Sequence, residues 1–281
     1  MNTNKSKETI TEISISELRP FKGHPYRVVD DEEMDRLVES IEEHGVMTPI
    51  NVRPIEGGYE VISGHRRIHA AKRAGLTTIP AIEMDMTRDQ AAVALVDSNL
   101  HRERLLPSEK AFAYKLKMEA LAHQGTSRQV GEKWSVSKIS DDADESERQV
   151  HRYIRLTHLI PPLLRMVDEE RIAFTPAVEL SYLSQEEQEM LFTEIGVTLA
   201  TPSLSQACRL KRLSGEGKLD EEAIIAIMAE EKPNQKERVS VPLSALKGKV
   251  PDSYTDRQLQ EYVIKAVDHY HRYLMRQREV R

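Results

Sequence analysis

From Pro107 onward the chain carries no convincing strand pattern for well over a hundred residues. Before that point, short apolar runs alternate with helix-spaced ones, and glycines stand between them. This change of pattern divides the 281 residues into two kinds of structure. Alternating strand and helix signals imply a small α/β layer, and a long run of helix signals implies a separate helical layer. The fold class is α+β, and the length suits two or three modules.

Residues 1–12 are polar and mixed in charge, and are expected to be a disordered leader. The first domain is expected over 13–104. Ile13 to Leu18 reads as a strand or turn. Asp30 and Asp31 can cap a helix on which Met34, Leu37, Val38 and Ile41 recur at helical spacing, ending at His44-Gly45. Ile50 to Arg53 and Tyr59 to Ser63 read as strands joined by the Gly57-Gly58 turn. Gly64 opens a helix that Gly75 closes. Ile79 to Met84 is a further strand, and Thr87 caps a helix reaching Asn99.

The second domain, 105–229, is expected to be all helical. Pro107 suits a first helical turn ahead of Phe112, Leu116, Ala120 and Leu121. Thr126–Trp134 and Ser135–Ala143 read as two short helices. Ser146 and Gln149 form a capping box that opens a helix over Glu147–Leu159. Pro161-Pro162, Thr175-Pro176, Ser184–Glu187 and Thr201-Pro202 mark later helix starts. Residues 230–254 read as a charged, proline-containing linker. Thr255 and Gln258 box the start of a last helix over 255–281.

Chemistry concentrates in two places. Ser63-Gly-His-Arg-Arg67 puts paired arginines where a strand turns into a helix. A helix start offers free backbone N–H groups, Gly64 admits a ligand to them, and Arg66 and Arg67 add guanidinium forks for phosphate oxygens. Asn99 and Arg102 are three apart, so a continuing helix puts them on one face. The second place is the helix after Ser146. Arg148, Arg152 and Arg155 make one stripe, with Gln149 and His151 beside it, while Val150, Ile154 and Thr157 make the packing face. Such a helix can set Arg against guanine and Gln against adenine. Preceded by a short helix and an acidic turn at Asp144, it forms a helix-turn-helix. The acids of Asp141–Glu147 are expected to face away from DNA, and Lys115, Lys117, Arg128 and Lys133 to add phosphate contacts.

These motifs occur in one order: Gly45-Val-Met-Thr-Pro-Ile50, Gly57 to Arg67, Ala74-Gly-Leu-Thr-Thr-Ile-Pro80, and Ser98-Asn-Leu-His-Arg102 running on to Ala111. In that order and spacing the chain resembles the ParB family of partition proteins over about residues 13 to 200. The resemblance implies an N-terminal domain binding CTP and Mg2+, followed by a helix-turn-helix domain that reads palindromic double-stranded DNA. It implies that Gly64, His65, Arg66, Arg67, Ser98, Asn99, Arg102 and Thr48 surround the nucleotide, with Asn99 toward the metal. Arg148, Gln149, His151, Arg152 and Arg155 then contact DNA. The family has glutamates where His65 and Ser98 stand here, and commonly a glutamine where Thr48 stands. Triphosphate binding survives the loss of two carboxylates better than hydrolysis does, so no residue is assigned as catalytic, and at most weak CTP hydrolysis is expected.

The net charge of −6 excludes a uniformly basic DNA coat but not a local basic stripe. The single cysteine, Cys208, excludes an intrachain disulfide and a cysteine-based zinc site. His65 and His69 stand at a metal-binding spacing with no further ligands in evidence. The scarcity of acids near the pocket argues against nuclease chemistry. No apolar run reaches the ~18 residues of a membrane span, so a cytoplasmic, nucleoid- or plasmid-associated protein is expected. Leu259, Val263, Ala266, Tyr270 and Leu274 form one face of the last helix, which either closes onto this chain or pairs two subunits; a homodimer suits a palindromic site, and a ParA-type ATPase is the implied partner. The alternative is a helix-turn-helix transcriptional regulator whose first domain is non-catalytic.

Overall fold

The computed structural model describes residues 9–100, 102, 105–123, 128–230 and 256–279. Two compact units result, Met1–Glu230 and Glu231–Arg281.

The first unit begins with a five-stranded sheet. Strands β1 (Ile10–Ser14), β2 (Leu18–Pro20), β3 (Ile50–Ile55), β4 (Gly58–Ser63) and β5 (Thr78–Glu83) lie in the order β1-β5-β3-β4-β2. The expected leader is therefore too long. Ile10–Ser14 pairs antiparallel with β5, Ile13 opposite Ile79, because Ile13 and Ile15 have the sheet core to enter. A 3-10 turn over Ile15–Glu17 then carries the chain to β2, at the far edge beside β4. Strands β3 and β4 form the hairpin that the glycine pair signals. Gly58 is required there, since a Cβ would lie 2.3 Å from the Glu17 carbonyl oxygen.

Helices α1 (Glu32–His44) and α2 (His65–Arg73) pack together, Met34, Val38 and Ile41 meeting Ala70. Asp31 caps α1, its carboxylate accepting from Met34 N at 2.8 Å. Ile68 and Ala71 of α2 close the core formed by Ile50, Val52, Val61, Ile79 and Ala81. Helix α3 (Arg88–Asp97) starts at a complete Thr87–Gln90 capping box. With α4 (Pro107–Ala122) it packs around Phe21, Tyr26 and Ile62.

Helix α5 runs unbroken over Arg128–Ala143, which corrects the expected pair of short helices. Ser135 resembles a helix cap locally, but it is fully buried, and Val136 and Ile139 pack on Tyr114 and Leu121 of α4. Tertiary burial overrides the capping preference. Asp144, at φ 52°, reverses the chain into α6 (Glu147–Leu156). Ser146 accepts from Gln149 N, yet the Gln149 side chain turns to Arg152, so only half of the expected box forms. Helices α7 (Pro161–Asp168), α8 (Phe174–Leu180), α9 (Gln185–Thr198), α10 (Leu204–Gly215) and α11 (Glu221–Met228) share one core with α6. Phe112 of α4 is 41% exposed.

The second unit contributes one described helix, α12 (Asp256–Glu279). Tyr262, Ile264, Val267, Tyr270 and Met275 are exposed on it. The Thr255 capping position and the Leu274 side chain lie outside the described residues. No described helix is long and apolar enough to cross a membrane.

Candidate nucleotide pocket and DNA-reading helix

Gly64 sits between β4 and α2 at φ +109°, where a Cβ would lie 2.5 Å from Ile50 Cγ2. The left-handed backbone and the close approach both demand glycine. The turn opens onto a cavity of about 230 Å³. Its walls are Ser63 to Arg67 on one side, Ser98, Asn99 and Arg102 on another, and the segment His24 to Val28 on a third. Residues separated by more than thirty positions thus converge on one helix start. Among the described residues, four arginines line the cavity and no carboxylate does.

The predicted residues do not all present their groups freely. Arg66 lies 3.5 Å from both Asp31 and Glu33 at the start of α1. Arg67 donates to the Thr48 carbonyl at 2.6 Å and also to that of Pro49, and burial pulls its pKa down. Thr48 therefore holds Arg67 through its backbone and is not part of the cavity wall. Asn99 Nδ2 donates to Leu95 O at 2.8 Å and Ser98 Oγ at 3.1 Å, which leaves Oδ1 as its outward acceptor. The Arg102 guanidinium lies 6.0 Å from the Tyr26 ring centroid.

His65 begins α2, and its ring stacks on that of His24 with centroids 3.7 Å apart. Burial, then the charge on His24, pushes the His65 pKa down to about 3. Burial lowers His24 as well, with Arg102 adding to the effect. His69 instead turns to Asp30, Nε2 to Oδ1 at 2.8 Å, so the two histidines of α2 do not share a ligand. Among the described residues no cluster of three or more metal-ligating side chains exists. Mg2+ is usually held by one or two carboxylates together with substrate phosphates. Hydroxyls and one amide oxygen do not supply that donor set.

The wall from His24 to Val28 was not foreseen. It has no periodicity and no motif, and only the returning chain brings it beside α2.

The second site is the face of α6. Arg148 and His151 are exposed at its N-terminal end. Arg152 donates to Gln149 Oε1 at 2.9 Å and to Thr175 Oγ1 at 2.8 Å, and stacks 4.7 Å over Phe174. Arg155 donates to the Ser181 hydroxyl and carbonyl and stacks 4.1 Å over Tyr182. The stripe exists, but its C-terminal half is occupied in holding α8. Val150 is buried behind it, with Ile154 and Thr157 partly so.

Lys117 overturns its expected role as a phosphate contact. Its side chain is fully buried and pairs with Asp97, just before Ser98, and with Asp142 of α5 at 2.6 Å. Of the acids over Asp141–Glu147, Asp142 holds Lys117 and Glu145 pairs with Lys110 and accepts from Tyr114 at 3.2 Å, while Asp141, Asp144 and Glu147 are exposed. The side chains of Arg128 and Lys133 lie outside the described residues.

The profile of the family described as "ParB N-terminal domain" matches residues 1–100. A "Nucleoid occlusion protein" of Halalkalibacterium halodurans is 31% identical over 196 residues, covering 69% of this chain and 64% of that protein. The chain belongs to the ParB family. This ParB chain is also 42% identical over 109 residues to the "Stage 0 sporulation protein J" of Bacillus subtilis, covering 39% of each. Both matches span less than two thirds of the relative's length. Among solved structures, a C-terminally truncated ParB from Caulobacter crescentus complexed to the centromeric parS site is 23% identical, covers 72% of this chain and 98% of its own, and has a TM-score of 0.42.

Proposed function

We propose that this ParB chain is a sequence-specific DNA-binding partition protein with a nucleotide, CTP by family resemblance, in the cavity at Gly64. The observation that carries the reading is the convergence of Gly64–Arg67 with Asn99 and Arg102 around one helix start. The α2 N-terminus attracts anionic oxygen, and Arg102 and Arg27, the latter paired with Asp168, widen the positive wall. Arg148, Gln149 and His151 form the DNA-facing end of α6, Arg152 is shared between that face and α8, and Arg155 braces it. The chain acts as a homodimer on a palindromic site, with nucleotide biasing the closure of the two subunits. The exposed apolar side chains of α12 supply a seam between copies. A ParA-type ATPase is the proposed motor partner.

CTP titration decides the nucleotide part, since no binding at millimolar CTP defeats it. Binding to random palindromes that equals binding to the best site defeats specific reading. Deleting residues after Val250 is expected to reduce the oligomer size, and an unchanged size removes α12 as the seam.

The regulator reading has one observation in its favour. Arg66 and Arg67 already have protein partners, as the arginines of a structural module do. Under that reading, repression persists in a Gly64→Ala variant that binds no CTP.

A further inference from the structure

Among the described residues, two buried side-chain polar atoms have no hydrogen-bond partner, Tyr26 Oη and His65 Nε2. Both residues line the cavity at Gly64. An unsatisfied buried polar atom is costly, and native proteins keep few of them. Two in one polar cavity mark places where a ligand completes the bonding.

The chemistry of that ligand follows from the wall. Among the described lining residues are Arg27, Arg66, Arg67 and Arg102 and no carboxylate, although Arg27 pairs with Asp168 and Arg66 with Asp31 and Glu33 behind the wall. The Tyr26 phenol keeps its proton, because burial drives its pKa upward. His65 is neutral near pH 7, since its pKa is pushed down, and a neutral imidazole can carry its proton on Nε2. Both orphans are then donors, and they want acceptor oxygens. Among the described lining residues a divalent cation finds no carboxylate, and it would compete with these donors for the phosphates.

We infer that the pocket binds its polyphosphate ligand without a divalent cation, His65 Nε2 and Tyr26 Oη donating to ligand oxygens that a metal would otherwise take. This rests on the nucleotide reading above and specifies how the phosphates are held. His65 and Tyr26 are thereby specificity-determining residues, selecting the metal-free ligand.

The test is equilibrium binding of CTP and of inorganic tripolyphosphate to the full chain, each in excess EDTA and in excess MgCl2. Affinity in EDTA is expected to equal or exceed that in MgCl2. His65→Glu replaces a donor with a metal-seeking carboxylate, so it is expected to bind at least about tenfold more weakly in EDTA and to recover in MgCl2. Tyr26→Phe removes only the hydroxyl. It is expected to weaken binding several-fold while the empty protein melts no lower than the wild type, because an unsatisfied group has gone. A purely structural tyrosine would lower the melting temperature and leave affinity alone, which overturns its assignment.

If both ligands bind only with MgCl2, the inference fails and the nucleotide reading stands. If tripolyphosphate binds in EDTA and CTP binds in neither buffer, the inference stands and the nucleotide reading fails. If neither ligand binds in any buffer, both fail.

Discussion

Lys117 offers the sharpest test of the fold's energetics. Its side chain is wholly buried, whereas the side chains of its partners Asp97 and Asp142 are 46% and 38% exposed. The three charges are therefore unequal in what their removal leaves behind. Replacing both acids, Asp97→Asn with Asp142→Asn, strands an ammonium that water does not reach. Breaking a buried pair in this way costs about 3–5 kcal/mol. A domain of this size shifts by roughly 2–4 °C per kcal/mol, so the melting temperature is expected to fall by roughly 6–20 °C. Lys117→Met instead removes the buried charge and keeps a side chain of similar length. The carboxylates left behind have water, so the loss is expected to stay within about 1 kcal/mol. Urea denaturation followed by far-UV circular dichroism measures both variants. The intuitive ranking, in which the central lysine matters most, is reversed. If Lys117→Met destabilises as much as the double asparagine variant, the reasoning from burial is wrong.

Gly64→Ala forces a strained backbone and a 2.5 Å approach to Ile50, so thermal melting is expected to show a loss of at least roughly 1–3 kcal/mol together with lost CTP binding. Below pH 6.5 an unfolded His65 takes a proton that the folded one, with its pKa near 3, refuses. Stability is therefore expected to fall as pH drops from about 6.5 toward 3, by at most about 1.4 kcal/mol per unit, and less steeply in His65→Gln; equal slopes in urea titrations would remove His65 as the source. Arg155→Ala is expected to cost about 1–2 kcal/mol of stability through its bonds to Ser181. Arg148→Ala is expected to leave the melt unchanged and weaken DNA binding, with a smaller salt slope if Arg148 touches phosphate.

Local signals were legible and remote ones were not. Asp31, Thr87 and Ser184 each cap the helix that follows them, because a cap is a contact between residues three apart. The strand–glycine–arginine junction at Gly64 was legible for the same reason. Helical spacing also put Arg148, Arg152 and Arg155 on one face. Spacing does not say what that face meets, and α8 claims its C-terminal half. Lys117 looked like any lysine on a charged helix. Its partners stand 20 and 25 residues away, on two other helices, and no pattern within α4 reveals them. The same distance in sequence hid His24 and Tyr26.

That hidden network ties the cavity wall to the helix before α6. Asp97 is the last residue of α3, and Ser98 and Asn99 of the cavity follow it directly. Its carboxylate holds Lys117 of α4, which also holds Asp142 of α5, the helix before the proposed DNA reader. A ligand that draws Asn99 inward therefore pulls on a buried ammonium. Letting go of it costs a desolvated charge, so the end of α3, α4 and α5 are tied to move together. If the cavity takes CTP and α6 takes DNA as proposed, their coupling is a free energy shared by both sites, so each ligand changes the other's affinity by the same factor. Lys117→Met is expected to keep both affinities close to wild type and to shrink that factor toward one. The measurement is DNA affinity with and without CTP, in both proteins. An unchanged factor would mean that the coupling bypasses Lys117, leaving the Glu145–Lys110–Tyr114 contacts between α4 and the turn before α6 as the next route.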